Sequence, residues 1–103
     1  MAQNGMRPIH PGEVLREDLM APLGMSARGL ARALGVPPNR ITSILSGRRG
    51  VTADTALRLA RYSGTSAEFW LNLQVAYDLR SAERSVGKAI EKSVRPRPPE
   101  AAD

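Results

Sequence analysis

Apolar positions along this chain recur at spacings of three and four, the period of helices with one buried face, and no stretch alternates as a half-buried strand would. A first helix is expected from HPGE onward, because Pro11 suits a first turn and Glu13 puts a carboxylate near the helix N-terminus. Val14, Leu15, Leu19, Met20 and Leu23 form its apolar stripe, with Arg16, Glu17 and Asp18 facing water, and Pro22 and Gly24 close it. Ser26 caps a second helix that buries Leu30, Ala31 and Leu34 and stops at Gly35. After a short turn, Pro38 opens a third, which buries Ile41, Ile44 and Leu45 and ends at Gly47. Thr52 caps a fourth, with Ala56, Leu57, Leu59 and Ala60 inward and Gly64 as terminator. Ser66 caps a long fifth helix reaching toward Lys92, with Gly87 as a weak point in its far half.

The expectation is therefore an all-α fold of five helices, divided into a flexible lead (residues 1–8), one helical domain (9–92) and a disordered, proline-rich tail (93–103). Four aromatic residues in 103 leave a mainly aliphatic core, and the absence of cysteine excludes disulfides and thiolate metal sites, which fits a reducing cytoplasm. With one histidine, His10, no metal site is expected and no cofactor is implied. His10 is better placed to serve a helix start than as a catalytic base. The adjacent acids Glu17 and Asp18 point about 100° apart on a helix and are expected to be solvated, so no catalytic constellation is present and an enzyme is not expected. No run is long and apolar enough for a membrane span.

Charge changes the picture. Residues 1–63 hold nine arginines against four acids, whereas the remainder is balanced, so the net charge of +5 belongs to the first part. Between Asp18 and Asp54 there is no acid at all, but there are Arg28, Arg32, Arg40, Arg48 and Arg49. Such a segment suits a polyanionic partner. The second and third helices, joined by a tight glycine-containing turn, have the spacing of a helix-turn-helix, whose second helix enters the DNA major groove. Pro38, Asn39, Arg40, Thr42, Ser43 and Ser46 form the outer side of that helix. Asn39, Arg40, Thr42 and Ser43 are expected to read or approach base edges, since Asn39 can bond adenine and Arg40 guanine, while Arg48 and Arg49 are expected at phosphates and Arg28 on the same DNA-binding surface.

On the fifth helix, Phe69, Leu73 and Ala76 fall on one side and Leu71, Val75 and Leu79 on the other. The first side is expected to dock on the bundle and the second to form a homodimer interface, which would place two reading heads on a palindromic operator. Phe69, Trp70 and Tyr77 are expected in core or interface, since one tryptophan makes no stacking platform for single strands.

The segments IHPGEVL (9–15), LGVPPNRITSILSGRRGVTADTALRLAR (34–61) and GTSAEFWLNLQVAYDL (64–79) resemble the HigA-like, or virulence-associated-protein-I-like, antitoxins within the phage-repressor class of helix-turn-helix proteins. The resemblance implies a five-helix bundle, a dimer, binding to double-stranded operator DNA with repression of the protein's own operon, and neutralisation of a HigB-like ribonuclease toxin. Two departures concern the DNA surface. Ala27 stands where many repressors of this class carry a glutamine that anchors to the DNA backbone, and Pro37 and Pro38 replace residues that can donate hydrogen bonds. A plain repressor without a toxin, and a helical adaptor whose basic surface meets an acidic protein, are the competing readings.

Overall fold

The computed structural model describes residues 7–99, and among these it contains five helices and no strand. The expected lead and tail fall partly beyond it, since residues 1–6 and 100–103 lie outside the described residues. Helix α1 starts where His10 Nδ1 accepts the Gly12 N–H at 2.9 Å, so the histidine is its N-cap. It runs as α-helix over Pro11–Val14, widens to π-helix over Leu15–Met20 and tightens again over Ala21–Leu23. In the widened part the Ala21 N–H reaches back five residues to the Arg16 carbonyl. Pro22, which has no N–H to give, follows that wide segment, where the helix can continue past its ring. Arg7 closes on the same helix start through a two-pronged ion pair with Glu13, at 2.6 and 2.9 Å.

Helix α2 (Ala27–Leu34) is capped by Ser26, whose Oγ accepts the Gly29 N–H at 3.0 Å. Gly35, at φ 72°, turns the chain in the left-handed conformation that other residues adopt only with strain, and α3 (Pro38–Leu45) follows after three residues. Helices α4 (Ala53–Ser63) and α5 (Ala67–Ser93) complete the fold, each capped by the hydroxyl expected, Thr52 and Ser66. The core gathers Leu15, Leu30, Ile41, Ile44 and Leu59, with Leu34, Val36, Val51, Ala56 and Trp70 around them. Helix α3 is held between α2 and α1. The α1 contact is made backbone to backbone, because a Cβ on Gly12 would overlap the Ile44 carbonyl oxygen.

Several expectations of burial are corrected. Leu57, expected inward, is 63% exposed, and Leu23 is exposed too. On α4 the buried side is Thr55, Ala56 and Leu59. The Thr52 cap places Thr55 against the core, and this rotates Leu57 to the far side. On α5, the expected docking side of Phe69, Leu73 and Ala76 is off by roughly a quarter turn at 100° per residue. Trp70, 2% exposed, marks the true docking direction, with Leu73, Gln74 and Tyr77 beside it, whereas Phe69 and Ala76 are exposed. The polar atoms there have partners: the Trp70 indole donates to Thr65 Oγ1 at 2.9 Å. Leu71, assigned to the outward side, is half-buried against the chain's own core. Gly87 does not interrupt α5, which is one helix of 27 residues and about 40 Å long. Beyond Ser81 it is exposed nearly all round, and Val94–Pro99 follow without regular structure. No helix among the described residues is long and apolar enough to cross a membrane.

Candidate nucleic-acid interface

Burial of Ile41 and Ile44 fixes which side of α3 faces outward. Asn39, Thr42 and Ser46 are exposed and Ser43 is half-buried; these four share one side of the helix within roughly 100°. Two of their hydroxyls are parked on the helix's own carbonyls, Thr42 Oγ1 on Asn39 at 3.4 Å and Ser46 Oγ on Ser43 at 3.1 Å, and can rotate to another acceptor or donor. Pro38 occupies the first turn, exposed, where a missing N–H removes nothing from the helix.

Arg40 stands apart from this group. It leaves the side of α3 toward α4, is half-buried, and pairs with Asp54 at 2.5 Å. Asp54 also receives Arg58 Nε at 3.0 Å, and Arg58 Nη1 continues to the Leu34 carbonyl at 2.9 Å. Hydrogen bonds from Arg58 first, then from Arg40, hold the Asp54 carboxyl below its ordinary value, so it stays charged and cancels part of the positive field beside the recognition helix. The expected placing of Arg40 among outward base readers is thus corrected to a flank position, tied to the start of α4. Sequence reasoning missed Arg58 and Asp54 as parts of this region. Their spacing of four on one helix was the available signal.

Arg48 and Arg49 leave the end of α3 exposed, and their backbone N–H groups both donate to the Ser43 carbonyl, at 2.9 and 3.1 Å. Arg28 is exposed in the first turn of α2, close to helix N–H groups that favour an anion. Ala27 is half-buried and packs on the core, so its position contributes apolar contact where a longer polar chain would reach outward.

His10 links three parts of the site. Its ring caps α1, meets the Tyr77 ring edge-on at 4.8 Å, and faces the Arg49 carbonyl. Since Nδ1 accepts from Gly12, the ring is neutral with its proton on Nε2. Burial lowers its pKa, against the opposing pull of Glu13, the Arg49 carbonyl and Asp78.

The arrangement presents a polar, acid-free helix face with arginines at its end, and among the described residues no cluster of histidine and carboxylate that could hold a metal. The helix-turn-helix family profile matches residues 15–70. Virulence-associated protein I of Dichelobacter nodosus is 57% identical over 82 residues, spanning 80% of this chain and 76% of that protein. Among solved structures, an addiction module antidote protein of the HigA family from Coxiella burnetii superposes with a TM-score of 0.84 at 59% identity, covering 88% of this chain and 99% of that one. The Pseudomonas aeruginosa antitoxin HigA, solved with the higBA promoter, superposes with a TM-score of 0.86 at 46% identity over 89% of this chain and all of that one. Sequence and fold agree: this chain belongs to the helix-turn-helix family and, within it, to the HigA-like antitoxins.

Proposed function

We propose that this protein is a DNA-binding antitoxin that represses its own operon from a palindromic operator and neutralises a ribonuclease toxin encoded beside it. The observation that carries the DNA half is the outer face of α3. Asn39, Thr42, Ser43 and Ser46 stand free of acids there, with Arg48 and Arg49 at the helix exit. A solved relative of 46% identity is an antitoxin bound to its promoter, which supports the same use of this surface here. Asn39 and Thr42 read base edges, while Arg28, Arg48 and Arg49 meet phosphates and set the register.

The homodimer is part of the same reading. Val75, Leu79, Val86 and Ile90 are all exposed and fall within an arc of roughly 60°, on the side of α5 opposite Trp70. Their spacings of four, seven and four match a seam between two helices. A second copy of the chain is self-complementary to such a stripe, and a twofold axis there would give two reading heads.

The test is binding of the purified chain to the DNA upstream of its own gene and to a scrambled duplex of equal length, over a series of salt concentrations. Preference for the upstream DNA with a steep salt slope is expected; equal binding to both would remove the operator role. Co-expression with the adjoining small reading frame tests the toxin half. Growth arrest by that frame alone, relieved by this protein, is expected, and a harmless neighbour would leave a plain repressor.

A further inference from the structure

The loop of residues 47–51 leaves the recognition helix and carries Arg48 and Arg49. Its near side is tied to α3 through the Ser43 carbonyl. Its far side is tied to the middle of α5, where Gln74 Oε1 accepts the Val51 N–H at 2.7 Å. The same amide donates Nε2 to Asp78 Oδ1 at 3.0 Å. Together these bonds fix the amide's orientation, because turning it over would set NH₂ against the Val51 N–H and an oxygen against the carboxylate. Gly50 lies directly on this amide: a Cβ there would stand 2.8 Å from the Gln74 amide carbon and oxygen. The neighbours of Gln74 on the docking side of α5 are Trp70, Leu73 and Tyr77, where packing alone would favour an apolar side chain.

We infer that Gln74 is a positioning residue for DNA binding, holding the 47–51 loop through Val51 so that the side chains of Arg48 and Arg49 arrive together at successive phosphates. Phosphate contacts set register only if their donors are held in register themselves. The buried Val51 side chain and the His10 ring at the Arg49 carbonyl also hold this loop, but without Gln74 the Val51 N–H loses its acceptor and the stretch from Gly47 to Val51 is held less tightly, so binding would have to order it. Because Gln74 sits on the helix that carries the proposed dimer stripe, it also fixes the phosphate-contacting loop relative to that stripe. The inference rests on the reading that Arg48 and Arg49 meet phosphates.

Gln74→Met keeps the volume and removes the acceptor. Binding to operator and to scrambled duplex should both weaken, on the order of tenfold, with the preference between them retained. The salt slope should flatten by up to about 0.9 for each phosphate that the arginines no longer neutralise. Gly50→Ala reaches the same lesion by wedging the amide away, so the double variant should bind no more weakly than either single one. Arg48→Ala and Arg49→Ala in the otherwise native protein separate the two ways of failing. If they leave the slope unchanged, the phosphate reading is wrong. If they flatten it while Gln74→Met, folded by circular dichroism, binds with the native slope and affinity, the positioning role is overturned. Fully additive losses in the double variant would overturn the shared mechanism. Hydrogen exchange on the unaltered protein gives a check free of any substitution: the Val51 amide should be protected, and exchange as fast as in an open loop would refute the latch.

Discussion

The Arg58 guanidinium donates to the Leu34 carbonyl at 2.9 Å, so a side chain of α4 completes the C-terminal cap of the first helix of the reading unit. Its Nη1 also reaches the Gly35 carbonyl at 3.4 Å, and its Nε is held by Asp54. The tight turn between α2 and α3 is therefore braced from outside, by a charged donor at the negative end of a helix dipole. Arg58→Ala should destabilise the fold by about 1 kcal/mol, the usual net contribution of one such bond at a partly exposed site. Arg58→Lys replaces the planar fork, whose Nε and Nη1 meet the carboxylate and the carbonyl separately, by one compact ammonium and should recover only part of it. Denaturant midpoints with unchanged slope measure both; an alanine variant as stable as the native protein would remove the brace.

If α3 is the helix that reads DNA, the ion pair with Asp54 should limit how far Arg40 contributes to binding. Asn39→Ala should cost roughly 1–3 kcal/mol of discrimination between operator and scrambled duplex, as expected for a base-edge contact. Asp54→Ala should act differently, releasing Arg40 and removing the nearest acid, so that affinity rises for both duplexes and the salt slope steepens by up to about 0.9. A loss of affinity in Asp54→Ala with its helices intact would mean that the pair positions Arg40 for contact.

Placing charge on the outer stripe of α5 should separate the protomers. Leu79→Glu with Ile90→Glu alters two residues that the chain's own core does not cover, in contrast to Leu71, whose change would also disturb folding. Each large aliphatic side chain buried at an interface contributes roughly 1.5–3 kcal/mol, so the pair should shift association by several kcal/mol. Light scattering should show a monomer with native helicity, and operator binding should weaken although the reading face is untouched. A double variant that remains dimeric would place the interface elsewhere.

Acid should loosen the start of α1 before it reaches the carboxylates. Burial holds the folded His10 ring below its ordinary value of about 6.5, so on acidification the unfolded chain takes up the proton first. Stability is therefore full above that value and is lost as pH falls from it through the folded pKa. Glu13 and Asp54, held low by Arg7 and by Arg58 and Arg40, lose their contributions only in the more acidic carboxylate range. His10→Asn keeps an N-cap acceptor that does not titrate. Its denaturation midpoint should stay level as the pH falls below about 6.5, where the native midpoint begins to decline. Parallel curves for the two proteins would rule out His10 as the titrating group.

What the sequence determined by itself is every feature settled within a few residues. Ser26, Thr52 and Ser66 each accept the N–H three positions on, at 3.0, 3.4 and 3.0 Å, and Gly35 and Gly64 stop their helices in the left-handed conformation. Those groups meet along the chain whatever the rest does, so helix number, order and limits, and the acid-free reading unit, could be read from the pattern. The tertiary structure decided which way each helix turned. Counting apolar residues on α5 and α4 misjudged their docking directions, because Trp70, Gln74 and Thr55 could all be brought inward once the indole found Thr65 and the amide found Val51. Likewise Arg40 became a flank residue only because folding brought the start of α4, fourteen positions on, against α3. A polar group is costly to bury until its partner arrives; Thr65 lies five residues before Trp70, but Val51 is twenty-three residues from Gln74 and Asp54 fourteen from Arg40.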